Sequence, residues 1–152
     1  CVKFSFFLIL FCMHKNFHHQ VKVYYEDTDA GGVVYYANYL KYIERARTEA
    51  LSKIGLSNTQ IKNKFGALII VKSCNIEYKK SAHLEDELNI VSHIISLKKT
   101  SLIMKQLIMH KKELITDAEI HLVFVNSEGK PEKIPSEIIE NFMPYVKNEI
   151  KT

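Results

Sequence analysis

Apolar positions change their period several times along the chain, and each change predicts an element. Gln20 to Tyr25 alternates polar residues with β-branched and aromatic ones, the period of a strand. Glu26 to Gly32 (EDTDAGG) carries turn formers and predicts a loop. From Asn38 onward, Leu40, Ile43, Ala46, Ala50, Leu51 and Ile54 fall on one face of a helix. Asn38 offers an N-cap and Gly55 a stop. After a polar connection, Ala67 to Asn75 predicts a buried strand that extends towards Tyr78. Glu87 to Leu97, Ser101 to His110 and Leu114 to Asn126 predict three more, and their short connections imply antiparallel pairing. Pro135 to Ile150 has Ile138, Ile139, Phe142, Val146 and Ile150 on one side, a helix that Pro144 interrupts.

Strand, long helix, successive antiparallel strands and a terminal helix make an α+β arrangement. The helix stripe must pack on one sheet face. The other face and the strand edges need cover, and a partner subunit is the usual source. Nothing divides the chain after His18, so 18–150 is expected to form one domain. Residues 1–17 stand apart as an extra N-terminal segment. Phe4 to Met13 is apolar but too short to span a bilayer, and no small-x-small cleavage site follows it. The preferred reading is a start site placed too far upstream, with Met13 as the start. The rival is a short membrane-surface anchor.

Composition narrows the function. Of 152 residues 47% are hydrophobic, which excludes disorder as the main state and suffices for a core. The net charge of +4 is mild and almost all lysine, Arg45 and Arg47 being the arginines. Scattered lysine doublets argue against nucleic-acid binding, which favours clustered charge and Arg. Arg45 and Arg47 are assigned to ion pairs with Glu44 or Glu49. Cys1, Cys12 and Cys74 have no regular spacing, so neither a disulfide framework nor a zinc site is expected, and a reducing cytoplasm fits. Cys74 reads as a small core residue. His14, His18 and His19 fall outside the expected folded part. His83, His93, His110 and His121 show no metal-ligand spacing.

The chemistry gathers between Tyr24 and Tyr39. Asp27 and Asp29 lie in a loop directly before a helix, and Gly31 and Gly32 allow a tight turn or a close ligand. The free N–H groups and dipole of that helix suit a developing negative charge. A carboxylate facing such a helix end is equipped for attack on an acyl carbonyl, directly or through a water. DxD before a helix is also read as a turn with a cap, or as a site for a divalent metal.

The whole string YYEDTDAGGVVYYANYLKYIERARTE closely resembles the signature of the YbgC-like acyl-CoA thioesterases, which belong with 4-hydroxybenzoyl-CoA thioesterase in the hotdog-fold superfamily. The resemblance runs from about Gln20 to Asn126 and is most specific in this opening motif. It implies a hotdog fold, a long central helix wrapped by an antiparallel sheet, here with a C-terminal helix. It implies a dimer or homotetramer with active sites between subunits, and no cofactor, CoA being part of the substrate. Asp29 takes the place of the family's catalytic aspartate, and the Tyr36 N–H that of its oxyanion donor. Gly32, Tyr35 and Asn38 are the candidate substrate contacts beside them. Lys98, Lys99 and Thr100 match the turn where 4-hydroxybenzoyl-CoA thioesterase holds CoA phosphates, and a solvated turn is the equal alternative.

Two positions depart from the family pattern. Tyr36 replaces a frequent His, and Ser81-Ala82 replaces Pro-Ala before an acidic residue that is kept as Asp86. The competing function is an acyl-carrier-protein partner with weak or no hydrolase activity. The resemblance associates it with phospholipid synthesis and the Tol–Pal envelope system, in the cytoplasm or peripheral to the inner membrane. A dehydratase finds no His/acid pair near the helix, and a metal-binding DxD module is a further option.

Overall fold

The computed structural model describes residues 14–147. The expectations for residues 1–13, including the Met13 start, and for the helix beyond residue 147 lie outside the described residues. Five strands, β1 (Phe17–Lys22), β2 (Leu68–Tyr78), β3 (Glu87–Leu97), β4 (Ser101–His110) and β5 (Glu113–Val125), form one sheet in the order β1-β3-β4-β5-β2. Every neighbouring pair is antiparallel. Helix α1 (Asn38–Lys53) lies on one face, α2 (Asn58–Phe65) follows it, and α3 (Ser136–Phe142) comes last.

The packing of α1 follows its periodicity. Tyr42, Ile43 and Ala46 are fully buried against Ile90, Ile94, Met104, Ile108 and Ile120 of the central strands. One polar network ties helix to sheet inside this core. The fully buried Gln106 donates to the Ile43 carbonyl (3.1 Å) and to Ser92 Oγ (3.0 Å), and accepts from Arg47 (3.1 Å). Arg47 therefore bonds into the core rather than pairing with Glu44 or Glu49, and Glu44 accepts from Thr48 instead.

Several expectations need correction. The first strand begins three residues early, because Tyr25–Asp27 coils into a 3-10 turn. His18 and His19 consequently lie inside the fold, opposite Val91 and Ile90. The polar connection after α1 contains α2, whose Ser57 and Gln60 cap each other, and Gly66 at φ 65° ends it. The buried strand is β2, and it is an exposed edge. Leu68, Ile70 and Val71 are 40–50% exposed, and Cys74 is exposed rather than in the core. An apolar edge strand needs a neighbour as much as a core strand does, so its composition reads the same. The last helix ends at Phe142. Pro144 sits in a 3-10 turn (Met143–Tyr145), as a proline interruption requires, and Val146 then pairs in parallel with Ile94. Among the described residues no helix is long and apolar enough to cross a membrane.

Candidate active site

The segment between β1 and α1 is a loop held from three sides. Thr28 bridges Val34 across its mouth, Val33 bridges His83, and the Val34 N–H donates to the Ala82 carbonyl (2.9 Å). The Tyr39 hydroxyl accepts the Ala82 N–H (3.0 Å), so α1 secures the same 80s loop. That is the turn where Ser81-Ala82 stands. Asp86 closes it by accepting the His83 N–H (2.9 Å).

The two aspartates divide the work by burial. Asp27 is 8% exposed and accepts the Tyr24 N–H at Oδ2 (2.9 Å). Its carbonyl takes the Tyr35 N–H and the Asn38 side-chain amide, each at 2.9 Å. Asp27 thus pins both ends of the loop. Burial, and then Asp27 nearby, push the Tyr42 phenol well above its ordinary range. Asp29 is exposed. Its turn is closed by the Gly32 N–H on the Asp29 carbonyl (3.0 Å), and its Oδ1 takes the Gly31 N–H (2.8 Å). Among the described residues Oδ2 has no partner, which leaves one carboxylate oxygen for chemistry.

The glycines serve this turn in different ways. A Cβ on Gly31 would lie 3.1 Å from Asp29 Oδ1, so Gly31 clears the space the carboxylate occupies. Gly32 has open space around it but a φ of +78°, which other residues adopt at a cost.

The turn that leads into α1 carries the candidate donor, Tyr36, two residues before the helix begins. The cap residue of α1, Ala37, has no side chain to bond the first N–H groups. No acceptor among the described residues takes the Tyr36 N–H. An open N–H beside a helix start is pre-arranged for an anionic oxygen. The Tyr36 ring is 60% exposed and stands edge-on to Tyr78 of β2, with centroids 6.1 Å apart. Tyr35 is exposed beside it. Asn38, by contrast, is buried and turned towards the loop, where it orients rather than faces solvent.

With loop, carboxylate and helix end in place, sequence comparison becomes decisive. A family model for the thioesterase-like superfamily matches residues 23–142. The acyl-CoA thioester hydrolase YbgC of Escherichia coli is 40% identical over 124 residues, 80% of this chain and 92% of that protein. This chain belongs to the YbgC-like thioesterases. Membership makes it a thioester hydrolase. The crystal structure of a probable thioesterase from Bartonella henselae matches it at TM-score 0.77 and 31% identity, covering 80% of this chain and 100% of that one. The structure of a 4-hydroxybenzoyl-CoA thioesterase mutant with 4-hydroxybenzoyl-CoA matches at TM-score 0.79 over 84% of this chain and 98% of that one. At 22% identity it shows the fold alone, which is the hotdog fold.

In this YbgC-like chain the coenzyme candidates lie far from Asp29. Lys98 and Lys99 are exposed in the β3–β4 turn, closed by the Lys98 N–H on the Ser101 carbonyl (2.8 Å). Thr100 accepts the Phe124 N–H through its carbonyl (2.9 Å). Asp29 follows β1, whose last residue, Lys22, pairs with Glu87 at the other end of β3. The length of β3 puts roughly 30 Å between the two within one copy. Sequence reasoning missed the division between Asp27 and Asp29 and the exposed ring of Tyr78. Alternating burial cannot be read in a loop, and Tyr78 meets Tyr36 only through the fold.

Proposed function

We propose that this chain hydrolyses acyl-CoA thioesters at Asp29, with the Tyr36 N–H holding the carbonyl oxygen as it becomes negative. The observation that supports the reading is that one loop leading into α1 carries both an Asp29 carboxylate oxygen and a Tyr36 N–H that no described residue bonds. Asp29 attacks the thioester carbon to give a mixed anhydride and a CoA thiolate that takes a proton from solvent. Water then opens the anhydride. Alternatively Asp29 takes the proton of a water that attacks the same carbon. Both routes end in free acid and CoA, and both load negative charge on the oxygen facing Tyr36. The family's frequent His is replaced at Tyr36 without loss of this donor, which belongs to the backbone. CoA arrives with the substrate, and the reading needs no cofactor or metal.

The reading also takes the active unit to be a dimer paired through β2. β2 is an eleven-residue edge with nothing alongside it among the described residues. Antiparallel pairing of two copies turns one sheet end for end relative to the other. The partner subunit's Lys98 and Lys99 then lie at the same end of the joined sheet as Asp29, as CoA phosphates require. The free, exposed Cys74 thiol suits the reducing cytoplasm, where CoA thioesters are handled.

The test is thiol release from acyl-CoAs of several chain types, with Asp29→Asn alongside. We expect wild-type turnover and a loss of at least about 100-fold in the variant, as for removal of an acid–base group. Full turnover in a folded Asp29→Asn protein would refute the assignment. Absence of turnover with salt-sensitive binding to an acyl carrier protein would favour the carrier-partner reading.

A further inference from the structure

Tyr36 carries the candidate donor, and what restrains Tyr36 comes from another element. The turn around it is tied on both sides. The Tyr35 N–H donates to the Asp27 carbonyl (2.9 Å), and the Asn38 N–H donates to the Tyr35 carbonyl (2.8 Å). Between those ties the Tyr36 backbone makes one hydrogen bond among the described residues: its carbonyl accepts the Tyr78 hydroxyl (3.4 Å). A residue has two soft dihedrals, so a carbonyl held from outside limits where the N–H of the same residue can point. The hold falls on the carbonyl and leaves the N–H open for an incoming oxygen.

The sheet places Tyr78 for this contact. It is the last residue of β2, and its partner on β5 is the buried Thr116, which sets its ring on the helix side. Directly after it the Lys79 N–H donates to the Ile115 carbonyl (2.8 Å), so the strand end is fixed. The ring meets Tyr36 edge-on at 6.1 Å and packs on Tyr39 at 5.7 Å. Tyr39 is buried, and its own hydroxyl accepts the Ala82 N–H of the 80s loop. Tyr78 thus leans on an anchored core tyrosine and reaches out to an exposed one. At 3.4 Å the hydroxyl contact is long, and the two ring contacts are what aim it.

We propose that Tyr78 is a positioning residue of the hydrolytic site, holding the Tyr36 turn so that the donor N–H faces the thioester oxygen before charge develops on it. The proposal rests on the acyl-CoA reading above for the role of Tyr36. Tyr78 acts through Tyr36 and moves no proton itself. A donor set in advance needs no reorganisation at the moment of reaction, so its benefit falls on the chemical step. The size of the effect separates the roles. One neutral hydrogen bond corresponds to about fivefold in rate, whereas a group that transfers a proton corresponds to about 100-fold or more.

Two measurements on Tyr78→Phe test it. Phe keeps the ring and removes the donated proton, and Tyr78 is 44% exposed, so the fold should stand. The first is steady-state acyl-CoA cleavage: kcat should fall about fivefold and KM should stay within about twofold. The second is calorimetric affinity for two CoA analogues that are not cleaved. The trifluoroacetonyl thioether of CoA presents an anionic oxygen through its hydrated ketone, and S-propyl-CoA has no carbonyl oxygen. Tyr78→Phe should weaken the first about fivefold and leave the second unchanged. Tyr78→Leu repeats both measurements should Tyr78→Phe not fold. An unchanged kcat overturns the proposal, as does a loss that falls on KM or an equal weakening of both analogues. A kcat loss of about 100-fold or more also overturns it and makes Tyr78 a catalytic acid. A protein that cleaves no acyl-CoA yet shows the selective weakening of the ketone overturns the hydrolase reading and keeps Tyr78 as the residue that sets the donor.

Discussion

The two edges of the sheet are built on opposite plans. β1 has six residues, FHHQVK, mostly polar. Where it ends, the chain's own C-terminal segment takes over: Val146 pairs with Ile94, and the Lys147 N–H reaches the Ile94 carbonyl at 2.7 Å. The Phe17 ring stacks on Tyr145 at 3.7 Å, and the Lys15 N–H reaches the Pro144 carbonyl, so the two ends of the described chain clamp each other over β3. β2 has eleven residues, LIIVKSCNIEY, and exposes Leu68, Ile70, Val71 and Tyr78. Lys72, at the register shift, is its one cation. Soluble proteins blunt a sheet edge with short strands, charge or cover. The β1 edge has all three, and the β2 edge has almost none. One edge is finished within the chain, and the other stays open among the described residues.

The largest effect is expected from placing charge on the open edge. Leu68→Lys with Ile70→Lys should yield a monomer by light scattering. Because the proposed site draws on two copies, kcat/KM should fall about 100-fold, the scale of a misplaced site. A fully active monomer would break the link between edge and site. The matching change on the closed edge, Gln20→Lys, should alter neither assembly nor activity and should shift stability by no more than about 0.5 kcal/mol.

Opening the closed edge is expected to act on stability instead. Phe17→Ala removes a side chain that is 2% exposed and its stack on Tyr145. Denaturant melts should show a loss of about 3 kcal/mol, with faster hydrogen exchange near Ile94.

The smallest effect is alkaline and sits on the open side. Burial raises the phenols of Tyr39 and Tyr42 above the ordinary 10.0, and Tyr39 packs on Tyr78 of β2. In the unfolded chain these phenols ionise near their ordinary value, while the folded protein holds their protons to higher pH. Their contribution is therefore complete below about pH 10 and is lost as pH rises through the folded values. Denaturant midpoints measured from pH 8 upward should be flat and then fall.

This asymmetry also explains what the sequence could and could not convey. α1, β3, β4 and β5 were legible because each buries a periodic stripe against its own chain. β2 was legible as a strand, but not as an edge. Ala67 to Asn75 is as apolar as a core strand because apolar surface answers to any neighbour, within the chain or beyond it. Cys74 inherited the same misreading. α2 hid because NTQIKNKF buries only Ile61 and has no stripe, although Ser57 three residues before Gln60 is a capping signal. At the site, the string from Tyr24 to Tyr39 located the loop and the helix start. It could not show that Asp27 faces inward and Asp29 outward, since that depends on Tyr42, Asn38 and the 80s loop arriving from elsewhere.

The lysine turn sits at the opposite end of the sheet from Asp29, and that has a genetic consequence. In a two-fold dimer each site would borrow its lysines from the other chain. A chain defective at Asp29 and a chain defective at Lys98 and Lys99 would each be inactive alone. Mixed, they would form heterodimers in which one site collects both lesions and the other collects neither. Two dead alleles would then complement, and the mixed dimer would work with one of its two sites.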